Sequence, residues 1–187
     1  SNLGMILAAE RIGGRKLWKY LRAFGIGSPT GLDFPGESTG KLPDFDKWTA
    51  TTFPTLAFGQ GLSVNAVQAA DVFATIANDG VRLRPRLVDA VVDAQGVESR
   101  LPVVAGTRVV SADTARQVRE MLEVVVSDRG TAPKAQIPGY RVAGKTGTAQ
   151  YVDPSCGCYN SGVVASFIGM APADKPKLVV AVALVNP

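Results

Sequence analysis

Histidine is absent from all 187 residues. That removes a Ser-His-Asp triad and weakens the case for most catalytic zinc sites, so acid–base chemistry must run through Lys, Asp, Glu or Tyr. Cysteine is nearly absent: Cys156 and Cys158 are the only two, with Gly157 between them. A bridge closing so short a loop is strained, and two thiolates alone cannot complete a zinc site. The pair reads as a structural or incidental feature, two thiols on a Gly-rich loop tip, with an unusual redox pair as the alternative. Long apolar runs are missing as well. Leu178–Val185 is the longest, far short of the roughly 20 residues a membrane-spanning helix needs, and none of these residues reads as a signal peptide. Charged residues make up 19% and aromatics 7%, beside 46% hydrophobic residues, which excludes a disordered tail or a coiled coil and leaves ample material for one core. The net charge of +4 is scattered. Its densest part, Arg82, Arg84 and Arg86, alternates along an apparent strand and lacks the nearby aromatics that stack on single-stranded nucleic acid. It reads as a solvated strand edge ahead of a nucleic-acid face.

What is present is helical first and strand-like later. Residues 3–24 read as a helix interrupted at Gly13-Gly14, with Leu17, Trp18, Leu21 and Phe24 on one face and Gly25 as a stop. Residues 25–62 are punctuated by Gly, Pro, Asp and Ser and predict an irregular connection with little regular structure. Asn65 can cap a second helix ending near Gly80, with Gln68 three residues on. Residues 86–93 and 97–101 suggest a hairpin. Ser111 caps a third helix, with Asp113 in its first turn and a buried stripe of Ala115, Val118, Leu122 and Val125/Val126. Strands are expected at 140–149, 163–170 and 177–185. The tight connection Pro172–Pro176 between the last two favours antiparallel neighbours, so the fold class is α+β.

The chemistry concentrates in Lys145-Thr146-Gly147-Thr148. On a strand, Thr146 and Thr148 point to one face and Lys145 and Gly147 to the other. Two hydroxyls on one face can hold a carboxylate, and a glycine lets another backbone approach. An ammonium beside a serine hydroxyl lowers the cost of moving its proton, which acyl transfer without histidine requires. The bland alternative is a surface lysine and two threonines on an ordinary strand.

The wider text decides between them. Ser1-Asn2, Gly31-Leu32-Asp33-Phe34-Pro35-Gly36-Glu37, Phe58-Gly59-Gln60-Gly61, Ala77-Asn78-Asp79-Gly80 and Ala143-Gly144-Lys145-Thr146-Gly147-Thr148-Ala149-Gln150 occur in this order. Together they resemble the transpeptidase domain of class B penicillin-binding proteins from end to end, and Cys156-Gly157-Cys158-Tyr159 resembles the division-specific actinobacterial type. The family's three motifs are Ser-x-x-Lys, Ser-x-Asn and Lys-Thr/Ser-Gly. By that resemblance Asn2 ends the second motif and contacts the substrate's peptide amide. Lys145 polarises the second-motif serine, Thr146 and Thr148 bind the terminal carboxylate, Gly147 completes the third motif, and the Thr148 N–H is an oxyanion donor. The implied fold is an antiparallel five-stranded sheet flanked by helices plus a helical lobe, here a partial domain over 1–187 truncated at both ends. The implied activity is serine-type D,D-transpeptidation of peptidoglycan stem peptides ending in D-Ala-D-Ala. β-Lactams and division-complex proteins are the further partners, no metal or organic cofactor is implied, and the parent sits outside the cytoplasmic membrane on an anchor upstream. The nucleophile would also lie upstream, so the chain alone is expected to be inactive. A non-catalytic relative kept for protein contacts is the alternative.

Two formal matches compete with that reading. Ser38-Thr39-Gly40-Lys41 satisfies Ser-x-x-Lys, but Pro35-Gly36, Gly40 and Pro43 oppose the helix that would bring serine and lysine together. Gly139-Tyr140-Arg141-Val142-Ala143-Gly144-Lys145-Thr146 fits the phosphate-loop pattern in full. It lacks a strand before the first glycine and a helix beginning at Lys145-Thr146, both of which nucleotide binding there requires.

Overall fold

Gly13 divides the first helical segment in two. The computed structural model, which describes residues 2–150, 155–159 and 162–187, places helix α1 at Asn2–Ile12 and α2 at Gly14–Ala23. Gly13 lies between them at φ 79, a backbone region that suits glycine. Leu17, Trp18, Leu21 and Phe24 are half-buried together, as their spacing predicts. None of the described helices is long and apolar enough to cross a membrane.

The next stretch corrects one expectation. Residues 25–62 contain a 3-10 turn at Phe45–Lys47 and a helix, α3, at Thr52–Ala57 that packs on α1. Pro54 disguised it, but the first turn of a helix needs no intrahelical N–H partner and tolerates proline. Leu56 and Ala57 bury its inner side.

Helix α4, Ala66–Ala77, opens on the capping box anticipated from Asn65 and Gln68: each side chain accepts from the other's backbone N–H, at 2.7 and 2.9 Å. Gln68 also donates to the carbonyls of Ser28 and Thr39, at 2.7 and 2.8 Å, and so fastens the irregular segment to the helix. Beyond α4, β1 (Val81–Arg82) pairs with β4 (Thr107–Arg108), and β2 (Ala90–Val92) with β3 (Glu98–Arg100). The supposed basic strand is therefore only two residues long, and its arginines are engaged separately. Arg82 bonds Asp71 at 2.6 Å, Arg84 bonds Asp33 at 3.0 Å, and Arg86 pairs with Asp89.

Helix α5, Ala112–Val126, carries the Ser111 cap, and along the forecast stripe Ala115 and Val126 are buried while Val118, Leu122 and Val125 are half-buried. Its buried Arg119 was not forecast. That guanidinium donates to the Ile76 carbonyl at 2.8 Å and to Asp79 Oδ1 at 2.9 Å, tying α5 to the end of α4. Three antiparallel strands follow in the order β5 (Ala143–Gln150), β6 (Val163–Ala171), β7 (Leu178–Val185). β5 begins three residues later than its apolar text suggests, because an isolated bridge joins Ile137 to Tyr140 first. Ala143, Met170 and Val179 share one cross-strand row. The core forms there, where Ile76, Ala143, Met170 and Ala173 close against Phe73, Val118 and Leu122. The helix-then-sheet arrangement is the α+β class expected. Farther along, cover is lost: Val180, Val182 and Leu184 are 58, 48 and 54% exposed.

Candidate active site

Lys145, Thr146, Gly147 and Thr148 lie in the middle of β5, one of the two outer strands of the described sheet. Gly147 pairs with Ser166, whose hydroxyl donates to the Gly147 carbonyl at 3.4 Å. Residues of an antiparallel edge strand alternate between turning both backbone groups into the ladder and turning both outward. Gly147 faces inward, so Thr146 and Thr148 face outward. The Lys145 ammonium supports this register, since it donates to the Thr146 carbonyl at 2.7 Å from outside the ladder.

One strand edge thus offers three kinds of group to a ligand laid along it. Outward N–H and C=O groups of Thr146 and Thr148 lie in the sheet plane, two hydroxyls stand on one face, and an exposed ammonium stands on the other. Among the described residues no carboxylate pairs with Lys145. The neighbour crowding Gly147 differs from expectation: a Cβ there would lie 2.5 Å from Ser166 Oγ, so the strand glycine accommodates a side-chain hydroxyl on β6, not another backbone.

Asn2 stands exposed in the first turn of α1, whose packing is against α2 and α3. No hydrogen bond joins it to β5 among the described residues. The structure brings four of the five anticipated site residues together and leaves Asn2 on a separate element. Two surface clefts, of about 760 and 420 Å³, lie beside α1–α2 and beside α4 and the start of β7; neither is lined by residues 145–148.

The transpeptidase-domain model of penicillin-binding proteins matches residues 1–187. The chain belongs to that family. It is 44% identical over its whole length to penicillin-binding protein PbpB of Mycobacterium tuberculosis, of which it covers 29%. It is 35% identical to peptidoglycan D,D-transpeptidase FtsI of Escherichia coli, covering 30% of that protein. A crystal structure of penicillin-binding protein 3 from M. tuberculosis in complex with aztreonam superposes on the whole chain with a TM-score of 0.95 at 44% identity, the chain covering 43% of it. The transpeptidase domain of penicillin-binding protein 3 from Burkholderia pseudomallei does so at 0.85 and 36%, with 54% covered. The chain therefore spans about a third of the length of the curated relatives it matches.

Within this transpeptidase domain the competing motifs fail on geometry. Lys145 and Thr146 lie inside a strand, and no helix starts there, so the phosphate-loop alternative is withdrawn. Ser38 to Lys41 lie outside any helix; Gly40 sits at φ 66, its N–H donates to Ser38 Oγ at 3.2 Å, and Lys41 bridges to Ser63. Cys156 and Cys158 form a disulfide whose Cα atoms lie 5.2 Å apart. That separation is ordinary for a disulfide, so the reading of two thiols gives way to a bonded pair.

One residue beside the site was missed. Thr131 follows α5 in a turn and its hydroxyl lies 2.9 Å from that of Thr146. The sequence marks this segment only as a turn, through Gly130 and Pro133.

Proposed function

We propose that the chain is part of the transpeptidase domain of a serine D,D-transpeptidase that cross-links peptidoglycan stem peptides at the cell envelope, outside the cytoplasmic membrane. The observation that carries this reading is the Lys145–Thr148 edge, with its ammonium, paired hydroxyls and outward Thr148 N–H on one open strand. The whole enzyme attacks the D-Ala-D-Ala bond with a serine supplied from outside this chain, releases the terminal D-Ala, and passes the acyl group to a neighbouring stem amine. Lys145 lets go of the Thr146 carbonyl and polarises the second-motif serine, so that a proton moves without histidine. The Thr146 and Thr148 hydroxyls hold the terminal carboxylate. The Thr148 N–H stabilises the tetrahedral oxyanion, a kind of contact that contributes about 2.7–4 kcal/mol. Asn2 contacts the substrate's peptide amide. β-Lactams acylate the same serine because their carboxylate and ring carbonyl occupy the same positions. The parent is membrane-anchored through a segment outside this chain and works with division-complex proteins. The chain by itself is inactive, for want of the nucleophile.

Intact-mass spectrometry after exposure to benzylpenicillin tests this. The full-length polypeptide should gain one penicilloyl adduct, its Lys145→Ala variant should gain it far more slowly, and the 187-residue chain alone should gain none. A folded full-length protein that never forms the adduct would be a non-catalytic relative. Adduct formation by the short chain at Ser38 would overturn the assignment of the nucleophile.

A further inference from the structure

Among the described residues Thr131 is the one side chain from outside β5 to hydrogen-bond Thr146, and it is held there with little freedom. The turn that carries it folds back on the last turn of α5. The Gly130 N–H donates to the Ser127 carbonyl at 2.8 Å and the Ala132 N–H to the Val125 carbonyl at 2.9 Å, fixing the backbone on both sides of Thr131. A Cβ on Gly130 would collide with the Val124 and Val125 carbonyl oxygens, so the approach depends on glycine. Gln136 locks the far side of the turn by donating to the Val126 carbonyl at 3.0 Å and to Asp128 Oδ1 at 2.8 Å. Helix α5 itself packs on β5. The hydroxyl of Thr131 is thereby set against the site strand before any ligand arrives.

Each threonine hydroxyl has a single proton, and the 2.9 Å contact between Thr131 and Thr146 is made in either direction. If Thr146 donates, its lone pairs face the ligand and repel an anion. If Thr131 donates, the Thr146 proton is free to be given away. Resting on the transpeptidase reading above, we propose that Thr131 is a positioning residue for the substrate carboxylate. Its hydroxyl donates to Thr146 Oγ1 and leaves the Thr146 proton for the carboxylate that ends the acyl-donor peptide or flanks a β-lactam ring. An anion at the site selects this direction, and the rigid turn removes the need to order Thr131 when it binds.

The test compares acylation of the full-length polypeptide by benzylpenicillin and by its methyl ester, which lacks the charge. Thr131→Val should lower the second-order acylation rate constant for benzylpenicillin about five- to thirtyfold, the range for losing one hydrogen bond in a chain that ends on a charged group. The same variant should leave the ester's rate within about twofold, so the preference for acid over ester collapses. Thr131→Ser, which keeps the hydroxyl, should restore the preference, and Thr131→Ala carries the same expectation as Thr131→Val should the valine variant fail to fold. An unchanged rate with benzylpenicillin, or an equal fall for acid and ester, overturns the proposal and assigns Thr131 to the turn alone. A wild-type protein inert to both compounds overturns the transpeptidase reading itself, a result distinct from either.

Discussion

Ala143 and Lys145 lie two residues apart on the same face of β5, yet the first is fully buried and the second exposed. Ala143 enters the core with Ile76, Met170 and Ala173 beneath α4 and α5. Lys145 has left that cover, and among the described residues its ammonium donates to its own strand, at the Thr146 carbonyl. The difference teaches how a short strand serves two purposes. Its first residues are anchored by packing, and the rigidity they confer carries forward along the ladder to residues whose side chains are left free for chemistry. Stability and activity should therefore separate along β5, and substitutions can be ranked by how cleanly they divide the two.

The largest effect is expected at the open end. Lys145→Ala in the full-length polypeptide should slow acylation by benzylpenicillin by about 10²- to 10⁴-fold, the usual scale for losing a group that assists proton transfer. The thermal midpoint should barely move, because the side chain is exposed and pairs with no carboxylate among the described residues. A large fall in the midpoint would mean that the anchor extends farther along the strand than its burial indicates. Met170→Ala reverses the pattern. Met170 is 2% exposed in the row beside Ala143, and its truncation should cost about 2–5 kcal/mol in denaturant unfolding. The acylation rate per folded molecule should stay near wild type.

A smaller effect is expected one layer back. Arg119→Met keeps much of the stem but leaves the buried Ile76 carbonyl without its donor and Asp79 without its partner. The loss should be about 1–3 kcal/mol, seen as a lower denaturation midpoint with unchanged slope. Asp79 adds interest, since it is a non-glycine residue at φ 51, a conformation that its neighbours must hold in place.

Residues whose behaviour follows from local rules were legible in the sequence. The Asn65–Gln68 capping box, the Ser111 cap, the α5 stripe and the three strands all announce themselves through spacing. So did the site strand, because hydroxyl and ammonium alternate on it by period two. Legibility failed where a residue's partner is distant in the chain. Arg82 and Arg84 look like neighbours on one charged strand until Asp71 and Asp33, 11 and 51 residues away, claim them. Arg119 looks like a surface position breaking a buried stripe until the end of α4 supplies its acceptors. Thr131 has no periodic signature, since only the fold of α5 onto β5 brings it to Thr146. Helix α3 failed for a different reason, a proline that reads as a breaker anywhere except in a first turn.

The smallest expected effect concerns Asp71, and it separates burial from ion pairing at the packed end. Burial pushes the Asp71 carboxyl above the ordinary carboxylate range, while the hydrogen bond and charge of Arg82 pull it down; burial prevails. The sign of the pH dependence follows. Between its ordinary pKa and its raised folded value, the native carboxyl holds more proton than the unfolded one, so Asp71's contribution to stability grows as pH falls through that window and is lost as pH rises above it. The half-buried carboxylate Glu37 and the exposed Asp113 behave oppositely. Hydrogen bonds from Thr30 lower the first, those from Arg116 and Gln117 lower the second, and both contributions fade as acid protonates them. Total stability mixes these trends, so the measurement is the difference between wild type and Asp71→Asn in denaturant unfolding from pH 6.5 to about 4, a range bracketing the ordinary carboxylate value. That difference should move in favour of wild type as pH falls. Movement the other way would mean that the Arg82 pair, not burial, governs the carboxyl, and that the packed end of the molecule is held by charge as much as by apolar contact.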